Sequence, residues 1–231
     1  LEQRSGILAD STFGQGALHA ITGQGWWIGR PIELPGSRPL RLEHGDIGSQ
    51  LRSWPLEHIV KCLVFYHPHD SAELRQRQDE LLLDVWHACN QSGHELLLEV
   101  ILPTDATDRR ECHYPAMLEH FYRLGIQPDW WKLPPLASET WDNVSELIVR
   151  EDPWCRGILL LGLDAEPEGL RAGFREAARH PAIKGFAVGR TIFGQPSRRW
   201  MAGELNDDEL INEVKQNYLR LIGYWREARR G

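Results

Sequence analysis

A chain of 231 residues, 42% of them hydrophobic, is long enough to bury the core of one α/β barrel or of a large open sheet. Its formal charge of −7 makes nucleic acid or an anionic membrane surface a poor main partner. No apolar run reaches membrane-spanning length and no charged-then-apolar leader precedes a cleavage site, while four scattered cysteines without a CxxC pair read as reduced thiols of a cytoplasmic protein.

The chain opens on Leu1 and a polar LEQRS, which reads as a piece cut from something longer. Residues 6–10 (GILAD) make a first strand candidate ending on Asp10, followed by a loop and a short helix over 11–22. Residues 27–35 (WIGRPIELP) are a second, made irregular by Pro31, and 40–44 a short third. Residues 59–67 (IVKCLVFYH), rich in β-branched and aromatic side chains, form a fourth. Ser71 then stands as an N-cap before a helical pattern that stops at Gly93.

A fifth strand covers 95–102 (ELLLEVIL), and a helix over 111–124 ends at Gly125. The sixth covers 129–133, just before two prolines, and is followed by a helix over 138–150. A seventh strand spans 157–164 (GILLLGLD) with a helix over 168–179, and an eighth spans 184–190 (KGFAVGR). A long amphipathic helix from Asp207 to about Arg229 closes the chain. Strands alternating with helices, the later strands continuously apolar, predict parallel strands covered on both faces. The economical fold is a single α/β domain over 1–231, a (β/α)8 TIM barrel whose first units are short and irregular; a doubly wound open sheet is the competitor.

Only four of the 26 basic residues are lysines, and Lys61, Lys132 and Lys184 lie in apolar, strand-like runs. Unlike arginine, a desolvated lysine can lose its proton and act as base or nucleophile. Active sites of barrels lie at the carboxyl ends of the strands, which selects Asp10, Glu99, Lys132 and Arg190. Lys61, on one face with Leu63 and Phe65, can point inward as well; Lys184 opens its strand at the opposite end and is left out. Each has a plainer reading: Glu99 tied to a structural arginine, Lys132 snorkelling between Trp130 and Trp131, or a Lys61–Glu99 pair serving only the fold.

Gly162, and Gly189 with Arg190, end the last two strands, where backbone N–H groups, a helix N-terminus and an arginine fork could cradle a phosphate. Those glycines could equally just turn the chain. His67-Pro68-His69-Asp70 resembles a metal pair but lacks a third ligand, so neither a metal nor another cofactor is expected. Trp26, Trp27 and the other aromatics read as core and rim packing.

With these motifs in view, GRPIELPGSRPL, VKCLVFYHPHD, ELLLEVILP, PDWWKLPP, CRGILLLGLDAE and IKGFAVGRTIFG together resemble the domain behind the sugar kinase in bacterial bifunctional 5-dehydro-2-deoxygluconokinases of inositol breakdown. The likeness runs from about Gly6 to Arg229. It implies a TIM barrel with 2-deoxy-5-keto-gluconate 6-phosphate aldolase activity, a phosphorylated keto-sugar acid as substrate, and a fused kinase in the native polypeptide. More distantly, the order of Lys61, Glu99, Lys132 and Gly189-Arg190 is similar to class I tagatose-bisphosphate aldolases. That likeness implies a Schiff base on Lys132 and proton transfer by Glu99. The residues themselves suggest that Asp10 helps move the proton, that Trp131 and its apolar neighbours desolvate Lys132, and that Lys61 repels its charge. Arg190, Gly189 and Gly162 would hold the phosphate and Arg30 the substrate carboxylate. Shorter spacings and the lack of a second phosphate site set this chain apart and suit a substrate with one phosphate. A phosphosugar isomerase, a non-catalytic phosphosugar-binding or kinase-docking domain, and assembly as a homo-oligomer stay open.

Overall fold

A computed structural model describes residues 5–162 and 165–231. Leu163 and Asp164, with which the expected seventh strand ends, lie outside the described residues, as do residues 1–4 of the LEQRS opening. Seven strands run parallel in one sheet whose order follows the chain: β1 (Gly6–Leu8), β2 (Trp27–Pro31), β3 (His58–Phe65), β4 (Leu96–Ile101), β5 (Trp130–Leu133), β6 (Gly157–Leu160) and β7 (Ile183–Phe186). Among the described residues these seven strands are accompanied by eight helices: α1 (Gln15–Ile21), α2 (Ile47–Leu51), α3 (Ala72–Ser92), α4 (His113–Arg123), α5 (Ser138–Glu151), α6 (Pro167–Ala177), α7 (Arg190–Met201) and α8 (Asp207–Ala228).

The third expected strand is absent among the described residues. Residues 40–44 make one antiparallel bridge, Leu42 to Glu33, instead of joining the parallel sheet. The backbone there doubles back: Leu34 N–H donates to the Arg41 carbonyl at 2.8 Å and Glu43 N–H to the Ile32 carbonyl at 2.9 Å. Five residues flanked by Gly36, Pro39 and Gly45 are too few, and too interrupted, for a crossover strand of their own. The short α2 follows, capped by the Asp46 carboxylate accepting from the Ser49 N–H, a helix the sequence pattern does not reveal.

The residues group into two units, one of 1–132 with 146–156, the other of 133–145 with 157–231. In the first, strand pairing fixes which side chains share a face. Leu63, Glu99 and Lys132 are aligned across β3, β4 and β5, as are Lys61, Leu97 and Trp130. Because side chains alternate along a strand, Val60, Cys62, Val64, Leu96, Leu98, Val100 and Trp131 fill the other face. All seven are buried, each worth about 1.5–3 kcal/mol when removed from water if it is a large apolar group. Trp131 shows what they pack on: it stacks on Phe121 and meets Tyr122 edge-on, both from α4.

Helix α3 starts where the Ser71 hydroxyl accepts from the Leu74 N–H and stops at Gly93, whose φ of 78° suits glycine. In the second unit, β6 pairs with β7, and α8 starts with a capping box in which Asn206 and Glu209 bond each other's backbone N–H.

Candidate active site

Four charged side chains form a buried chain of ion pairs in the first unit. The Lys132 ammonium nitrogen lies 2.9 Å from Glu99 Oε1, and the Lys61 Nζ lies 2.8 Å from Glu99 Oε2. Lys61 Nζ also donates to Glu33 Oε1, a close contact. Relative exposures of 7% for Lys132 and Lys61, 4% for Glu99 and 8% for Glu33 mean that water screens none of these pairs well.

The local folding of each residue explains the set. Glu99 is the single charge in LLLEVI, and strand pairing puts it directly beside Lys132. Lys61 comes from the same face of β3 as Leu63, the residue level with Glu99, but two positions earlier. Glu33 arrives from beyond the end of β2, on a segment held on one side by Ile32 N–H to the Lys61 carbonyl at 3.0 Å and on the other by the bridge to Leu42.

Burial and neighbours push the two amines apart. Burial lowers the Lys132 pKa below the ordinary lysine value, and the Lys61 charge lowers it further against the pull of Glu99. Burial also acts to lower Lys61, but the Glu99 and Glu33 carboxylates more than offset it and hold Lys61 above the ordinary value. For Glu99, burial acts to raise the pKa, yet the two lysines hold the carboxyl below its usual range. The arrangement offers one amine biased towards neutrality, touching one carboxylate able to carry a proton, beside one amine kept charged.

Of the other candidates, Asp10 turns its carboxylate to its own loop. Oδ1 accepts from the Phe13 N–H at 2.6 Å and the Thr12 N–H at 2.8 Å, and the Phe13 bond holds its pKa below the usual value. Arg30 is level with Val60, on the face opposite Lys61; its guanidinium donates to Ser11 Oγ at 2.7 Å and lies 3.7 Å over the Trp54 ring. The structure thus brings Lys61, Glu99 and Lys132 together, adds Glu33, and gives Asp10 and Arg30 contacts of their own.

Trp131 needs a correction as the group that dries Lys132. It follows Trp130 in the strand and precedes Lys132, so alternation turns it to the helix side, where its Nε1–H donates to the Tyr122 hydroxyl at 2.8 Å. Trp130 is the tryptophan on the lysine face; it donates to Glu95 at 2.7 Å and meets Trp27 edge-on at 6.1 Å.

In the second unit, Gly162 follows β6 and Gly189 is the N-cap of α7, so Arg190 begins a helix instead of ending a strand. A side chain on Gly162 would meet Val188 Cγ1 at 2.8 Å, and Thr191 Oγ1 donates to the Ala165 carbonyl at 3.0 Å. The two loops are therefore packed backbone to side chain, a close approach only glycine permits at Gly162.

Residues of the HPHD motif are tied into loops of the first unit. His67 Nε2 lies 2.6 Å from the Asp108 carbonyl and its Nδ1 accepts from the His69 N–H at 3.1 Å, so both ring nitrogens are engaged. Asp70 accepts from Arg38, which also reaches Asp105 at 3.1 Å, so one arginine joins the segments after β2, β3 and β4. Among the described residues, no group of three or more His, Cys, Asp or Glu is placed to hold a metal ion.

Residues 1–229 match the family described as an uncharacterized protein conserved in bacteria (DUF2090). No protein with a curated description matches the sequence. Among solved structures, the chain is similar to the fructose-bisphosphate aldolase of Plasmodium falciparum, solved with TRAP and a small-molecule inhibitor: TM-score 0.67 and 10% identity over 97% of this chain and 77% of that one. An archaeal fructose 1,6-bisphosphate aldolase gives a TM-score of 0.59 at 10% identity, over 96% of this chain and 95% of its own. A Schiff-base-forming fructose-1,6-bisphosphate aldolase gives 0.56 at 12% identity, over 81% and 71%. At such identities the likeness is one of fold: the chain has the α/β fold of these aldolases.

Proposed function

The chain belongs to the DUF2090 family, and from that premise we propose that it is a Schiff-base aldolase acting on a phosphorylated keto-sugar acid. The observation that carries the reading is a buried Lys132 amine, its pKa lowered by burial, 2.9 Å from a buried carboxylate. The fold shared with class I aldolases supports it.

The substrate we propose is 2-deoxy-5-keto-gluconate 6-phosphate. Neutral Lys132 attacks the C5 ketone, and loss of water from the carbinolamine leaves an iminium. Glu99 takes the proton of the C3 hydroxyl, the C3–C4 bond breaks, and its electron pair becomes the enamine. Malonate semialdehyde leaves; C4 is then protonated, and water hydrolyses the iminium to dihydroxyacetone phosphate and free Lys132. Held below its usual range, Glu99 stays ionised at neutral pH and so open to a proton, which it then gives up readily. Lys61 supplies the fixed positive charge that disfavours protonation of Lys132. Asp10 and Arg30, engaged elsewhere, have no step in this scheme. In the second unit, Gly162 after β6 and Gly189 with Arg190 at the start of α7 are proposed as a phosphate site, on the chemistry of a helix N-terminus and an arginine.

The test is chemical. Incubation with the ketose phosphate and borohydride, then digestion, should give a reduced adduct on the peptide carrying Lys132, and assay of the untreated enzyme should give aldehyde product. Turnover without an adduct would replace the aldolase with a base-catalysed isomerase or a metal-assisted route. Thermal stabilisation by the ligand with no product would leave a binding domain.

A further inference from the structure

Two lysines flank one glutamate, and a symmetric trio of this kind does not say which amine stays charged. Glu33 breaks the symmetry. Among the described residues, Lys61 Nζ contacts two carboxylates, Glu33 and Glu99, whereas Lys132 Nζ contacts Glu99 alone. We infer that Glu33 is a positioning residue: by pairing with Lys61 it keeps that amine protonated, so that Lys132 is the amine left to shed its proton and attack the ketone. The inference rests on the Schiff-base reading above and deepens it.

Three observations support the assignment. Glu33 lies outside the regular strands, yet its backbone is braced from both sides, by the bond from Ile32 to the Lys61 carbonyl and by the bridge to Leu42. Such bracing delivers one carboxylate to one place. Among the described residues its Oε2 has no hydrogen-bond partner, so the carboxylate makes its bond to Lys61 through Oε1. The third is the charge count: Lys132, Glu99, Lys61 and Glu33 carry two charges of each sign, so a neutral Lys132 leaves one surplus negative charge beside the iminium that forms there. Glu33, from the segment after β2, acts to raise both amines: Lys61 through contact, and Lys132 from a distance and more weakly than the Lys61 charge from β3 lowers it, while Glu99 from β4 raises both.

The experiment measures borohydride trapping against pH with dihydroxyacetone phosphate as probe, locating the label by peptide mass. Wild type should be labelled at Lys132. In Glu33→Gln, Lys61 loses its second carboxylate and gives up its proton more easily. It then repels Lys132 less and leaves Glu99 to it, so the Lys132 trapping midpoint should move about one pH unit alkaline. That is a roughly tenfold loss of adduct at neutral pH, and part of the label should appear on Lys61. Glu33→Asp should restore the wild-type label position. Lys61→Met, which removes the charge directly, should shift the midpoint the same way, and adding Glu33→Gln to it should shift it no further. Should Glu33→Gln not fold, an unchanged midpoint in Lys61→Met still overturns the proposal, because the charge that Glu33 is said to hold would then not act on Lys132. An unchanged or acid-shifted midpoint in the folded variants, with wild type still labelled at Lys132, overturns the role of Glu33 alone. Absence of any adduct in wild type overturns the Schiff-base reading itself.

Discussion

Lys61 and Lys132 share Glu99, and the difference between them is a matter of how many carboxylates each nitrogen meets. Removing one member of such a set therefore has a cost that depends on what is left. Lys132→Met leaves Glu99 still paired with Lys61, so stability should change by only about 1 kcal/mol while adduct and turnover vanish. Glu99→Gln leaves two buried amines facing an amide, with Glu33 as the remaining carboxylate, and should cost about 3 kcal/mol or more. Urea unfolding of the two variants alongside wild type checks the order. If Lys132→Met proved the more damaging for stability, Lys132 would be a structural cation and not a reserve of neutral amine.

At the scale of the element, alternation along β5 decides which tryptophan belongs to the lysine. Trp131 faces α4, donating to Tyr122 and stacking on Phe121, so it serves the packing of strand on helix. Trp131→Phe should lower stability by about 1–3 kcal/mol, from the lost volume and the lost bond, and leave the pH profile of trapping at Lys132 where it was. A shifted profile would mean that Trp131 dries the amine through the sheet. The same alternation explains what the sequence makes legible. Lys61, Glu99 and Lys132 stand out because each is the charge in an apolar run, and parallel pairing brings runs of that kind together. The boundaries of α3 are readable from Ser71 and Gly93. Glu33 is not readable, since Pro31 ends the regular alternation two residues before it and nothing in WIGRPIELP says where its side chain turns. Residues 40–44 look like a strand from their composition, but among them Leu42 makes a single antiparallel bridge, to Glu33, and the backbone bends from residue 43 on.

For the molecule as a whole, the buried set makes stability depend on pH at both ends. Folded Glu99 has a pKa below its ordinary 4.5, burial raising it but Lys61 and Lys132 lowering it more. Between the two values the unfolded chain binds more protons than the folded one. The group's contribution is therefore complete above its unfolded pKa and drains away as pH falls through the lower folded one. Asp10, its pKa lowered by the Phe13 N–H, acts in the same direction. On the alkaline side the lysines oppose each other. Lys61, raised, stabilises until pH passes its folded value; Lys132, lowered, costs stability below its unfolded value and recovers it as pH rises. Alkali alone cannot separate them, so acid is the informative limb. A protonated glutamate is close in shape and charge to glutamine. The stability gap between wild type and Glu99→Gln, about 3 kcal/mol near neutral pH, should hold steady above the ordinary value of 4.5 and shrink steadily in urea melts as pH falls below it. A gap that stayed constant below that value too would mean that Glu99 enters the fold already protonated, and then it could neither hold Lys61 charged nor take a proton from a substrate hydroxyl.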